Sequence, residues 1–219
     1  MKIFTNGYLG IGGDGYHMVN RLCVPATFES PPGVESSFLC TPVENQGQNP
    51  VCAAVAGTTN VEVKDWQKHH YKNQLDYMAL YNRAKVRDGN TNPGTYGTSI
   101  FDAMRDLKYI DPLLARMQIL KTQQELQFAL HAHQVCMVAV RLTAGWLPGN
   151  LVKGWVGEQS EYIGNHMMML CGYRRAPYFA RPGYKVLQSW GSDVGENGFV
   201  KVDADKLEAG LMEGYLITW

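Results

Sequence analysis

An α+β fold in two lobes is what this sequence predicts. Helix-period apolar spacing and helix-start signals dominate the N-terminal half, and short β-rich runs bounded by turn residues dominate the C-terminal half. Segregated helices and strands, with no internal repeat or low-complexity tract, point to helices packed against a sheet rather than to alternating βαβ units. At 219 residues the chain suits one domain or two closely packed lobes. Residues 1–24 read as an N-terminal extension and 25–219 as the folded domain.

The extension is glycine-rich, with Gly7, Gly10, Gly12, Gly13 and Gly15 among polar residues, and has no core of its own. It is expected to pack on the surface or to enter a cleft as a short plug. Pro25, Pro31, Pro32 and Gly33 mark extended chain and turns. The loop Gln46-Gly47-Gln48-Asn49-Pro50 leads into a helix from Val51 or Cys52 to about Lys64, with Pro50 where a missing N–H costs least. A second helix is expected over Asp65–Arg83, carried by Leu75, Met78, Leu80 and Tyr81. After a Gly/Asn/Pro loop, Ser99 is expected to cap a helix bearing Ile100, Ala103, Met104 and Leu107. A further helix spans Gln123–His133. Strands are expected over Val135–Leu142, Met167–Tyr173, Tyr184–Ser189, Gly198–Val202 and Tyr215–Trp219.

Composition excludes several functions. With 45% apolar and 18% charged residues, the chain is neither disordered nor fibrous. Its 20 basic and 20 acidic residues cancel, so nothing favours nucleic acid or an anionic membrane surface. No apolar run approaches the ~20 residues of a membrane span, and the first residues lack a secretory signal. The five cysteines, Cys23, Cys40, Cys52, Cys136 and Cys171, are odd in number and lack metal-like or redox-like spacing. They read as free thiols in a reducing compartment.

Cys52 stands apart because it opens a helix. Unpaired N–H groups at that end favour thiolate over thiol, and the thiolate is the attacking species in cysteine catalysis. Around it, Pro42-Val43-Glu44-Asn45-Gln46-Gly47 followed by Cys52 resembles the P-V-x-x-Q-G-x-x-x-x-C segment of papain-like cysteine peptidases. Gly164-Asn165-His166-Met167 through Gly172-Tyr173 resembles their histidine strand. Tyr184 to Gly191 and Gly195-Glu196-Asn197-Gly198-Phe199 resemble their Asn-Ser-Trp-Gly region. The three segments occur in family order between Pro42 and Phe199, and Phe38-Leu39-Cys40-Thr41 resembles bacterial and viral members.

The resemblance implies a papain-like fold, with a helical lobe carrying Cys52 and a β-barrel-like lobe carrying His166. It implies Cys52 as nucleophile, His166 as general base, Gln46 as oxyanion donor and Gln188 as acceptor for the imidazole N–H, shielded by Trp190. Gly97 and Thr98 would lie on a glycine-containing strand that binds peptide backbone, and Met167 would face a shallow specificity pocket. A polypeptide substrate is implied; no metal or cofactor is, and the oligomeric state stays open. The expected location is the cytoplasm, or a virion or host cytoplasm for a viral member. Three departures stand out. Gln188 replaces the family's Asn, Asn49 replaces a disulfide cysteine of secreted members, and Ala53 replaces a Trp. His166 follows Cys52 by 114 residues, fewer than the roughly 130–150 of papain-type enzymes, which implies trimmed loops. The alternative is a non-catalytic member that binds peptide or serves as a virion component. A related acyl-transfer enzyme fits the Gln46–Cys52 spacing and the Ser-Trp-Gly trio less well.

Overall fold

The computed structural model describes residues 19–40, 42–71, 73–175 and 181–219. In chain order their elements are β1 (Val19–Arg21), β2 (Gly33–Glu35), α1 (Cys52–His69), α2 (Tyr77–Asp88), α3 (Gly97–Asp106), β3 (Arg116–Leu120), α4 (Gln123–His133), β4 (Cys136–Thr143), β5 (Tyr162–Arg174), β6 (Gly183–Leu187), β7 (Phe199–Asp203), α5 (Ala204–Gly210) and β8 (Leu211–Thr218). The strands form one sheet in the order β1-β3-β8-β4-β5-β6-β7, with β2 added to β5. Only β1–β3 is parallel. The expected barrel-like lobe is therefore an open sheet: β1 and β7 stand at its two ends and do not pair with each other.

Period-two alternation sends side chains to two cores. Met137, Ala139, Met167, Met169 and Cys171 face the helical layer of α1, α2 and α3, where Val61, Leu80, Ile100 and Met104 meet them. Cys136, Val138, Val140, Met168 and Leu170 face the other side, with Leu126 and Leu130 of α4 and Leu207 of α5. The central strands are buried on both faces, which is why Met167-Met168-Met169-Leu170 is a continuous apolar run rather than an alternating one.

The α4 prediction matches the observed bounds, and its start shows why. Thr122 accepts from the Glu125 N–H, and Glu125 accepts from the Thr122 and Lys121 N–H groups, a capping box. Glu125 also pairs with Arg21 at 2.6 Å, tying β1 to α4. Thus the chain joins the sheet before residue 25: Val19–Arg21 run beside Met117–Ile119, and Leu22 is buried. The surface or plug role expected for the extension falls mainly on residues 1–18, outside the described residues.

Three local expectations are corrected. Residues 65–83 are not one helix. Asp65–His69 end α1, His70 takes a left-handed conformation, and α2 starts at Tyr77 after an Asp76 cap. Between Trp66 and Leu75 the sequence offers no apolar residue but an exposed Tyr71, so a helix there would have nothing to bury. Ser99 does not cap α3, which begins two residues earlier after Tyr96. Finally, β5 starts at Tyr162, so His166 lies within a strand, opposite Val140, rather than before one.

Candidate active site

Cys52 is the first residue of α1, where its N–H has no acceptor within the helix. It and His166 are 0% exposed, and Gln188 and Gln46 are 1% exposed. The site is thus withdrawn from solvent in this structure. α1 lies against β5: Val55, Ala56 and Thr59, one and two turns beyond Cys52, enclose a void of about 10 Å³ with Met167, Gln188 and Ser189.

Antiparallel pairing of β5 with β6 brings the segment after β6 under His166. His166 Nε2 stands 3.1 Å from Gln188 Oε1, the contact anticipated from the sequence despite the longer side chain. Accepting at Oε1 fixes the ring proton on Nε2 and leaves Nδ1 as the basic nitrogen. Nδ1 has no hydrogen-bond partner among the described residues. Trp190 stacks on the imidazole, with centroids 4.9 Å apart and planes at 29°. Burial pulls the imidazole down to about 3, against the upward pull of the Gln188 bond. In this closed state the ring is neutral, and it takes a proton only with an anion or water beside it.

Gln46 is oriented by a residue to which sequence reasoning gave no role. Ser189 donates its hydroxyl to Gln46 Oε1, and Gln46 N–H donates to Ser189 O at 2.8 Å. The amide is thereby prevented from flipping, and its NH₂ end faces the helix-start turn, donating to Asn49 O at 3.0 Å. Asn45 bridges Trp190, and Gly191 N–H donates to Glu44 O at 3.1 Å. The Gln46 segment and the Gln188-Ser189-Trp190 segment are therefore zipped together, 142 residues apart in sequence at Gln46 and Gln188. The signal for Ser189 was its place in the Ser-Trp-Gly trio.

Gly97 and Thr98 belong to the first turn of α3, not to a strand. A Cβ on Gly97 would lie 2.5 Å from the Tyr215 ring, so glycine is required there for packing against β8. Extended backbone ends at Tyr96. Met167 is fully buried in the core facing α1 and lines the small void already described.

No protein-family model matches this chain, and no curated protein sequence does. Solved structures do. Xylellain, a cysteine protease from Xylella fastidiosa, superposes with a TM-score of 0.77 at 14% identity, over 98% of this chain and 96% of that one. Digestive procathepsin L 3 of the Tenebrio molitor larval midgut gives 0.70 at 17% identity, over 91% and 74%. Procathepsin B S9 from Trypanosoma congolense gives 0.71 at 10% identity, over 97% and 85%. These likenesses, over nearly the full chain, establish that it has the papain-like cysteine-protease fold.

Proposed function

We propose that the chain is a cysteine peptidase that cleaves peptide bonds through Cys52 and His166. One observation carries this reading: a buried imidazole held by Gln188 through one nitrogen, roofed by Trp190, with its other nitrogen unpartnered among the described residues. A histidine kept only for packing has no need of a dedicated acceptor and an aromatic roof at once.

In the proposed cycle Cys52 gives its proton to His166 Nδ1. The thiolate attacks the substrate carbonyl carbon, forming the C–S bond. Charge moves to the carbonyl oxygen, where Gln46 Nε2 and the Cys52 N–H donate. Collapse breaks the C–N bond while His166 protonates the leaving amine. A water, deprotonated by His166, then attacks the thioester; C–S cleavage regenerates the thiol. The imidazolium, disfavoured by burial alone, would be stabilised by a thiolate brought beside it and by the Gln188 acceptor. The substrate is an extended polypeptide, and the five free thiols fit work in a reducing compartment such as the cytoplasm.

The test is hydrolysis of fluorogenic peptides, with Cys52→Ala and His166→Ala each expected to abolish turnover while leaving the far-UV spectrum and Tm near wild type. The double variant should be little worse than either single one, because the two groups act as a unit. Strict additivity would contradict the assignment. A second reading, a peptide-binding protein without turnover, is favoured by the complete burial of Cys52 and His166. A peptidyl epoxide that labels Cys52 stoichiometrically counts against it.

A further inference from the structure

A cavity of about 340 Å³ opens at the outer end of the β4–β5 pair, within the size range of ligand pockets (about 300–1,000 Å³). Its walls include the apolar Trp146 and Val156, and its polar groups include Arg141, Tyr162, Lys206 and Glu158. Two of these charges cancel. Lys206 Nζ donates to Glu158 Oε1 at 2.7 Å and to Gly157 O at 3.0 Å. Arg141 has no carboxylate: among the described residues its one recorded interaction is with the Tyr162 ring, 5.3 Å from centroid to guanidinium carbon. The pocket therefore carries one cation without a carboxylate among the described residues, near an aromatic ring.

The backbone aims this group deliberately. The β4–β5 register shifts between Leu142 and Thr143, so that Thr143 pairs with Tyr162 while Leu142 pairs with Gly164. The extra residue of that bulge turns Tyr162 to the face that bears Arg141 and Asn165. There Tyr162 donates its hydroxyl to Asn165 Oδ1 at 3.0 Å. Arg141 pairs with Asn165, the residue before His166. Tyr162 is four residues from His166, about 13 Å along a strand at ~3.3 Å per residue. Alternation puts Arg141, Asn165 and Tyr162 on the face opposite the His166 imidazole, so a polypeptide that meets both wraps the end of the strand pair.

We propose that this pocket recognises a carboxylate of the polypeptide substrate, with Arg141 as the specificity-determining residue. A guanidinium offers paired donors in one plane, which match the two oxygens of a carboxylate. The Tyr162 ring lies near the guanidinium without consuming its donors; both side chains are exposed, so solvent screens the contact. The carboxylate has two possible sources, an Asp or Glu side chain of the substrate or the substrate's own C-terminus.

The inference rests on the peptidase reading for its substrate, so the test separates the two. Peptides with Glu or Gln at each position flanking the cleaved bond, amidated at the C-terminus, are compared with neutral peptides whose ends are free or amidated. Full-length wild type should favour the carboxylate-bearing member of one pair by about 2- to 5-fold in kcat/KM, the range of an exposed ion pair. Arg141→Gln should bring that ratio near one, and Arg141→Glu should invert it toward the neutral peptide. A preference that follows the free C-terminus assigns the pocket to terminal recognition; one that follows Glu assigns it to a side chain. Equal rates within both pairs overturn the proposal. If no peptide is cleaved, fluorescence anisotropy of the same labelled peptides on full-length Cys52→Ala decides. Carboxylate-dependent binding lost in Arg141→Gln keeps the pocket while the peptidase reading falls, and binding indifferent to Arg141 sinks the pocket.

Discussion

Gln188→Ala separates a catalytic role for the His166–Gln188 pair from a structural one. In the resting, neutral state the 3.1 Å bond contributes about 1 kcal/mol to stability. The same side chain buries an amide nitrogen with no partner among the described residues, at a cost of about 1–3 kcal/mol. Truncation relieves that cost but strands the buried His166 Nε2–H at a similar one of about 1–3 kcal/mol, so the net loss should be about 1 kcal/mol, the bond itself, and Tm should fall by only a few degrees. Catalysis is different, because the ring becomes an imidazolium and the bond becomes charge-assisted, worth about 1.5–3 kcal/mol. Losing it should lower kcat/KM by about 10- to 150-fold, far less than loss of Cys52 or His166. Since the Gln188 bond pulls the imidazole upward, its removal should also bring the alkaline limb of the kcat/KM profile to lower pH. Gln188→Asn should fail to rescue. Shortening the arm by one C–C bond, about 1.5 Å, takes the 3.1 Å contact to about 4.6 Å, beyond hydrogen-bond reach. Fluorogenic assays across pH, with thermal melts alongside, read all of this. Unchanged kcat/KM in Gln188→Ala, or full activity in Gln188→Asn, would refute the reasoning.

Acid should destabilise the fold through His166. The ring titrates near 6.5 when unfolded and at about 3 when buried, so the unfolded chain takes up the proton first and stability is lost as pH falls from 6.5 toward 3, at up to about 1.4 kcal/mol per pH unit. Urea midpoints from pH 7 to 4 should fall less steeply in His166→Gln, and equal slopes would remove His166 as the cause. Iodoacetamide near neutral pH should modify exposed Cys23 and, when the cleft opens, Cys52. Cys136, buried with its thiol pushed up to about 12, and buried Cys171, also pushed up by burial, should stay intact. Mass spectrometry showing Cys52 no faster than Cys136 would count against an activated thiol. Gly97→Ala should lose about 1–3 kcal/mol by overpacking on Tyr215, and a melt unchanged within error would show that α3 can shift.

What was legible in the sequence follows from where local chemistry dominates. Thr122 and Glu125 sit at capping-box spacing before an apolar-periodic run, so α4 could be bounded from its residues alone. The Gln46–Cys52 spacing and the Ser-Trp-Gly trio likewise carry their geometry with them. The break at His70 was hidden because Leu75, Met78 and Leu80 continue a helical period across a polar stretch with no buried apolar residue of its own. Strands β1, β2 and β3 were missed because three to five residues give period two too little length to register, and their partners lie far along the chain. Gly97 reads as a loop or strand glycine until Tyr215 is seen pressed against it. Arg141 and Tyr162 could not be paired from sequence at all, since a bulge, invisible in the residue pattern, puts them on one face.

The position of β8 has a consequence for the order in which the molecule can come together. β8 lies between β3 and β4, yet it is translated after both and after every other described strand. Until Leu211–Thr218 emerge, β3 with its neighbour β1 cannot dock on the rest of the sheet, and β4 has one bare edge beside the strand that bears His166. Loop closure over such separations is slow. On the ribosome, then, Cys52 and His166 are both made before the sheet that supports them is complete. A fold built in this order sets Cys52 and His166 on a finished sheet only once Leu211–Thr218 have emerged.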